Sequence, residues 1–349
     1  MADPACAGLV SAVSFTDVPT IPPVILNDGS SVIAEGDAVA AFSAQGWQLW
    51  RVTAAGVVTG LVGLPDNRVV AHTRSGQAFT ISGGRYAALW SVPGPDAPLL
   101  RLGDDTLAFV TENGGVDAYT PQGDLIWSLP GEAAVIGVID FQTNGDQLAL
   151  AVRRVDGVYW RVLTAGGQVA YETVFSTVPQ ITPVSGNGWL ALEDRTLYHV
   201  ASRPRAVASL DRTPGRTARM TADLLGNVYL YLGDSRSTLM SISPGGQVRW
   251  TRTYPAKPEA VAPLLRTDNG CLLYTLDMDG ALHIFNARSG ERVNETQVYA
   301  GGIQNGSPPA RILQPLPGNQ MLVGAGFLSA VVLDGAAISD GAMQDCVLG

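Results

Sequence analysis

Residues Leu99 to Pro130, LLRLGDDTLAFVTENGGVDAYTPQGDLIWSLP, decide how the rest of the chain is read. LLRL is followed by Gly103-Asp104-Asp105, TLAFVT by Asn113-Gly114-Gly115, VDAYT by Pro121-Gln122-Gly123-Asp124 and LIWSL by Pro130-Gly131. Every break carries residues that accept positive φ or fix a turn. Every run between the breaks is too short for a helix and rich in β-branched or aromatic side chains. The stretch predicts a four-stranded antiparallel meander.

The unit recurs. First strands are expected near Val24, Leu61, Leu99, Val135, Gln180, Met220, Ala262 and Ile312, a spacing of about 40 residues that suits propeller blades. A Gly, Asn or Asp turn follows each first strand, as in Pro65-Asp66-Asn67, Asn144-Gly145-Asp146 and Gly226-Asn227. GWQLWRV, YAALWSV, GDLIWSL and GQVRWTR place Trp50, Trp90, Trp127 and Trp250 on last strands, as blade-packing residues.

These endings, SPGGQVRWTR, TPQGDLIWSL and SAQGWQLWRV, resemble the repeat of quinoprotein (PQQ)-like propellers, in which a turn and Gly-x-x-x-Trp follow the third strand. The resemblance runs from about Pro22 to Asp340 and is uneven: Tyr171 stands where the fourth tryptophan would be, and the fifth unit has neither glycine turn nor tryptophan. It implies an all-β, eight-bladed β-propeller of four-stranded antiparallel blades, with seven blades as the alternative, forming one domain over residues 1–349. Enzymes of the family hold the quinone over the central channel with a tryptophan platform, a metal, an aspartate base and often a vicinal cysteine pair, and oxidise sugars or alcohols. This chain has no adjacent cysteines, so no cofactor is expected. It is closer in class to shorter non-enzymatic relatives, which include the propeller lipoprotein of the outer-membrane β-barrel assembly machinery.

Composition fits such a ring. Only 15% of the 349 residues are charged, and 40 are glycine, as expected where both faces of most strands are covered. A formal net charge of −9 disfavours nucleic acid, which needs a basic face. Arg153, Arg154, Arg203, Arg205, Arg212, Arg216 and Arg219 form one local basic excess, read either as a solvated face or as a dock for an anionic partner.

The ends are expected to meet. The eighth unit, ARILQPL, QMLVGAG and LSAVVLD, lacks a fourth strand, and residues 8–15, GLVSAVSF, form a strand with no local partner. That segment is predicted to close the last blade, leaving residues 341–349 as a tail. Closure brings Cys6 toward Cys346 as a disulfide candidate, with two separate thiols as the alternative; Cys271 is then a buried strand thiol. A disulfide implies an oxidising compartment. Met1-Ala2 before DPACAGLV reads as a start placed where a leader was removed, so an exported protein (periplasmic, cell-surface or secreted) is expected, with no transmembrane segment.

Chemistry-bearing motifs are sparse. His72, His199 and His283 sit on strands of different units and read as core or edge residues. Asp277 and Asp279, in LDMDG, are weak metal candidates that lack a third ligand and a distal glutamate, and a hairpin turn is the simpler reading. Val293 to Arg311 is either a functional lip or slack. The expected role is a non-catalytic scaffold binding a protein or glycan partner at the cell envelope or surface; the alternative is a quinone-type sugar or alcohol dehydrogenase or another propeller enzyme.

Overall fold

The computed structural model describes residues 9–14, 21–92, 97–103, 105–186, 188–200, 203–215, 217–233, 237–255, 263–268, 271–277, 280–297, 311–316, 320–325 and 329–334. Their strands form eight four-stranded antiparallel sheets, one per sequence unit, and each sheet is numbered here as a blade. Blade 1 is β2 (Val24–Ile25), β3 (Ser31–Glu35), β4 (Ala38–Phe42) and β5 (Gln48–Thr53). The meander at Leu99 is blade 3: β10 (Leu99–Leu102), β11 (Thr106–Val110), β12 (Val116–Tyr119) and β13 (Leu125–Leu129).

Blade 8 contains β30 (Arg311–Leu316), β31 (Gln320–Ala325) and β32 (Ser329–Asp334). Its fourth strand is β1 (Leu9–Ser14), which pairs antiparallel with β32 from Leu9↔Leu333 to Ser14↔Ser329. The leading segment therefore completes the last sheet, as expected. That pairing leaves two open strand edges fewer than a three-stranded sheet beside a loose strand would.

Each junction between blades has its own apolar cluster. Val39, Ala71 and Phe79 join blades 1 and 2, Val70, Leu99 and Phe109 join blades 2 and 3, and Leu102, Leu148 and Val152 join blades 3 and 4. Ile33, Phe42, Ile312 and Leu322 join blade 1 to blade 8, so the ring is closed by packing as well as by β1. Val70 faces one neighbour while Val69 and Ala71 face the other, because successive side chains of a strand point to opposite faces. Middle strands such as β4 and β7 (Val69–Thr73) are buried at every position, whereas outer strands such as β9 (Arg85–Ser91) are mostly exposed. That difference explains the low charge content.

The repeated Gly and Trp are two halves of one contact. A methyl group at Gly84, Gly123, Gly167 or Gly290 would lie 2.5 to 2.7 Å from Trp50, Trp90, Trp127 or Trp250 of the preceding blade. Two of the indoles also reach the backbone of the next blade: Trp127 Nε1 donates to Ala165 O at 2.7 Å and Trp250 Nε1 to Ala287 O at 3.0 Å. Gly167 has φ +77°, which disfavours a side chain, and its missing Cβ admits the ring. Gly167→Ala is expected to cost about 2–4 kcal/mol from left-handed backbone strain and overpacking, checked by the midpoint of chemical unfolding; Gly166→Ala, with open space around it, serves as the mild control.

Candidate functional site

Across the ring, neighbouring blades approach most closely through their first strands, so these strands surround the axis. They are β2, β6 (Val58–Gly63), β10, β14 (Gly137–Asn144), β18 (Gln180–Val184), β22 (Arg219–Ala222), β26 (Leu264–Asp268) and β30. Their described side chains are mainly apolar, but a polar arc runs through Asp140, Gln142, Gln180, Arg219 and Arg266 of blades 4 to 7, with Arg101 on blade 3.

The arc is hydrogen-bonded from blade to blade. Gln142 Nε2 donates to Asp140 Oδ2 at 3.1 Å and to Ile181 O of the next blade at 3.0 Å. Asn144 Nδ2 reaches Val184 O at 2.9 Å and Gly188 O at 2.7 Å, and Arg219 Nη1 reaches Gln180 Oε1 at 3.4 Å. Arg101 Nη1 donates to Gly63 O at 2.6 Å. A cavity of about 180 Å³ opens beside this arc at Gln180 and Ala218, with Thr177, Asp194 and Thr213 in its wall. A second, of about 280 Å³, lies on the same pair of blades among Leu210, Arg212, Thr238, Met240 and Val248.

Burial raises the Asp140 carboxyl above its ordinary value, outweighing the bonds from Gln142 and the Phe141 N–H and the charge of Arg219. Burial likewise holds the Arg266 guanidinium below its usual range. The Arg266 side chain is nonetheless exposed. A raised carboxyl contributes stability that is fully present below its unfolded value and is lost as pH rises through the folded one. Asp140→Asn is therefore expected to stabilise the protein at neutral pH and leave it unchanged near pH 3, measured as melting temperature against pH.

The residues singled out from sequence lie elsewhere. Trp50, Trp90, Trp127 and Trp250 are on outer strands, under the glycines of the next blade. Asp277 is buried: Oδ1 accepts from the Tyr254 hydroxyl at 2.6 Å and Oδ2 lies 3.2 Å from His283 Nε2. Its carbonyl oxygen accepts from Gly280 N at 3.3 Å. Both carboxylate oxygens thus have protein partners. Asp279, Cys6 and Cys346 lie outside the described residues. Cys271 precedes β27 (Leu272–Leu276) and is half-buried, not the buried strand thiol expected, because it falls in the turn before the strand. His72 is buried against Phe109, and His199 is half-buried on β20 (Thr196–Val200).

The basic excess is divided by the fold. Arg154 and Arg161 pair with Glu132 and Glu172, at 2.6 Å for Arg154–Glu132 and 2.7 Å for Arg161–Glu172. Arg205 is on the outer strand β21 (Arg205–Ser209), Arg219 is at the axis, and Arg216 lies outside the described residues. Burial pushes the Glu132 carboxyl up, but bonds and charge from Arg161 and Arg154 outweigh it and the net direction is down.

A quinone ring over the axis would need an aromatic floor there. The motif tryptophans lie on outer strands against the glycines of the next blade, away from the first strands that surround the axis, so they do not fit as a platform for that cofactor. Among the described residues no group of three His, Cys, Asp or Glu side chains is placed to hold a metal ion, and no helix is long and apolar enough to cross a membrane.

No family model matches the chain, and no curated protein matches it by sequence. Solved structures do. BamB from Moraxella catarrhalis superposes with a TM-score of 0.64 at 16% identity over 93% of this chain and 96% of its own. The computationally designed Ika8 protein superposes with a TM-score of 0.71 at 15% identity, over 94% and 99%. Sqt1 from Saccharomyces cerevisiae gives a TM-score of 0.67 at 12% identity, again over 94% and 99%. With the repeated sheets, the junction clusters and the closing strand, these likenesses identify the chain as an all-β propeller, similar in class to the PQQ-like repeat propeller BamB.

Proposed function

We propose that the protein is a non-catalytic interaction scaffold, exported to the cell envelope or surface, whose rigid ring presents its perimeter to a protein partner. The observation that carries this reading is the apolar character of the outer strands of blades 1 to 4. On these strands Leu89 is 64% exposed, Leu125 56% and Val174 56%, Leu49, Tyr86 and Ile126 are exposed as well, and Trp47, immediately before β5, is 74% exposed. A propeller has no need of large apolar groups on its outermost strands for its own core, and exposed apolar patches of this kind suit protein contact. The strand β13, LIWSL, also carries no ionisable side chain to protect its edge. The neighbouring propellers BamB and Sqt1 support a scaffold role rather than an enzymatic one. A glycan partner is the second candidate for the same scaffold.

The test is site-specific photo-crosslinking in the native cell. Probes at Leu89 and Leu125 are expected to give a discrete protein adduct, and probes at Arg205 and Thr253 on the outer strands of blades 5 and 6 are expected to give none. Equal labelling from both sets, or none from either, overturns the assignment. Export is read separately, by non-reducing mass spectrometry of the native protein: a Cys6–Cys346 bond supports it, and two unpaired thiols count against it.

A further inference from the structure

The last strands of blades 1, 3, 4 and 6 set an aromatic ring against the next blade. Trp50, Trp127, Tyr171 and Trp250 each occupy the first paired position beyond a bulge, opposite Ala41, Ala118, Val162 and Ser241. In blade 5 that position, opposite Leu197, is Ala208. With no ring between them, the backbone of β21 closes directly on the turn of blade 6, and a methyl group at Gly246 would overlap Val207 O. Two residues past Ala208, at Leu210, the same junction opens into the cavity of about 280 Å³.

The interior of that cavity is apolar and its mouth is polar. Leu210, Leu232 and Met240 line it with the Thr238 hydroxyl among them, and none of the four is more than 4% exposed. Asp211 and Thr251, which are exposed, mark the mouth between β21 and β25 (Val248–Thr253). Arg212 is seated there against Asp211 at 3.3 Å and Thr238 Oγ1 at 3.2 Å, so the charges at the mouth offset one another. Apolar walls with a few polar groups at one end suit a mostly apolar ligand of defined orientation. A cavity of about 150 Å³ admits benzene, so this one has room for a fused two-ring system, and the Met240 thioether is a favourable neighbour for an aromatic face. The Asp211 carboxylate opposes an anion and accepts from an N–H or O–H.

We propose that this cavity binds a small neutral aromatic molecule of the size of indole, its ring held among Leu210, Leu232 and Met240 and its N–H or O–H donor turned to the Asp211 carboxylate. The ligand supplies at this junction the kind of group that blades 1, 3, 4 and 6 supply from their own last strands. The site is separate from the apolar strands of blades 1 to 4 and does not require the protein partner.

Fluorine NMR of 5-fluoroindole titrated with the full chain tests this. Saturable binding, reversed by excess unlabelled indole, is expected. Thr251→Phe, which sets a ring of the protein's own at the mouth, is expected to weaken binding about tenfold or more, since the ring competes for the same space. Asp211→Ala is expected to weaken it about threefold or more, as loss of a charged acceptor predicts. Val169→Phe, at an exposed position on the last strand of blade 4, is expected to leave it unchanged. The melting temperature is expected to rise with indole in the wild-type chain and to stay level in Thr251→Phe, which separates a filled site from a misfolded one. Absence of saturable binding to the wild-type chain, or unchanged affinity in Thr251→Phe, overturns the proposal. So does a photo-probe at Thr251 that captures a protein in the native cell, because the cavity would then receive a partner's side chain.

Discussion

Trp160→Ala is expected to destabilise the ring by about 3–5 kcal/mol, the largest loss from any single aromatic. Trp160, on β16 (Gly157–Leu163) of blade 4, is fully buried and meets Trp189 of blade 5 edge to face at 5.6 Å. Around the pair lie Ala149, Phe175, Ile181 and Val200, so the deletion opens a cavity at a junction that both blades share. The strands on either side are held by their own ladders and cannot collapse into the space, which puts the cost at the upper end of such truncations. Trp160→Phe separates volume from polarity. Trp160 Nε1 has no hydrogen-bond partner among the described residues, so the phenylalanine variant loses some packing but also removes a buried donor, and about 1 kcal/mol is expected. Denaturant unfolding of both variants checks the pair; equal losses would mean that the indole is not packed as described.

Asp277→Ala should cost about 3–5 kcal/mol. The carboxylate is 1% exposed and gathers the Tyr254 hydroxyl and the His283 ring, while Tyr254 also lies 2.7 Å from Thr275 Oγ1. Burial, with the nearby Asp277 charge, pushes the Tyr254 phenol far above its ordinary value, so the hydroxyl stays a donor at any workable pH. Removing the carboxylate leaves the Tyr254 hydroxyl with Thr275 Oγ1 alone and takes from His283 Nε2 its partner, at buried positions where water has no ready entry. Asp277→Asn keeps one acceptor oxygen and is expected to lose about 1–2 kcal/mol. If the alanine variant proved as stable as the asparagine variant, the network would not be holding this junction.

The blade pattern was legible because it is local. Turn residues, strand length and the Gly-x-x-x-Trp ending recur in each unit, and φ-restricted turns follow directly from residue type. The missing fourth strand of the eighth unit pointed to residues 8–15, and β1 does pair with β32. Trp160 and Trp189 were not marked out by the repeat, since neither stands at the motif position; their meeting depends on how blade 4 packs on blade 5. Asp277 looked like a turn residue with a slight metal flavour because its two partners, Tyr254 and His283, lie 23 and 6 residues away and converge only across strands.

The axial arginines show the same division. Arg101, Arg219 and Arg266 are separated in the chain; Arg101 and Arg266 each follow a Pro-Leu-Leu run, whereas Arg219 was grouped with Arg205 and Arg212 by proximity in sequence. Sequence alone determined that this chain folds as a ring of short antiparallel sheets with its leading strand as the clasp, because strand and turn preferences act over a few residues. Tertiary structure alone decided which polar groups meet, Arg219 with Gln180 and Asp277 with His283, because that depends on the twist and stacking of blades about the axis. A pairing energy depends on distance in space, and a repeat of about 40 residues brings together groups that no local pattern connects.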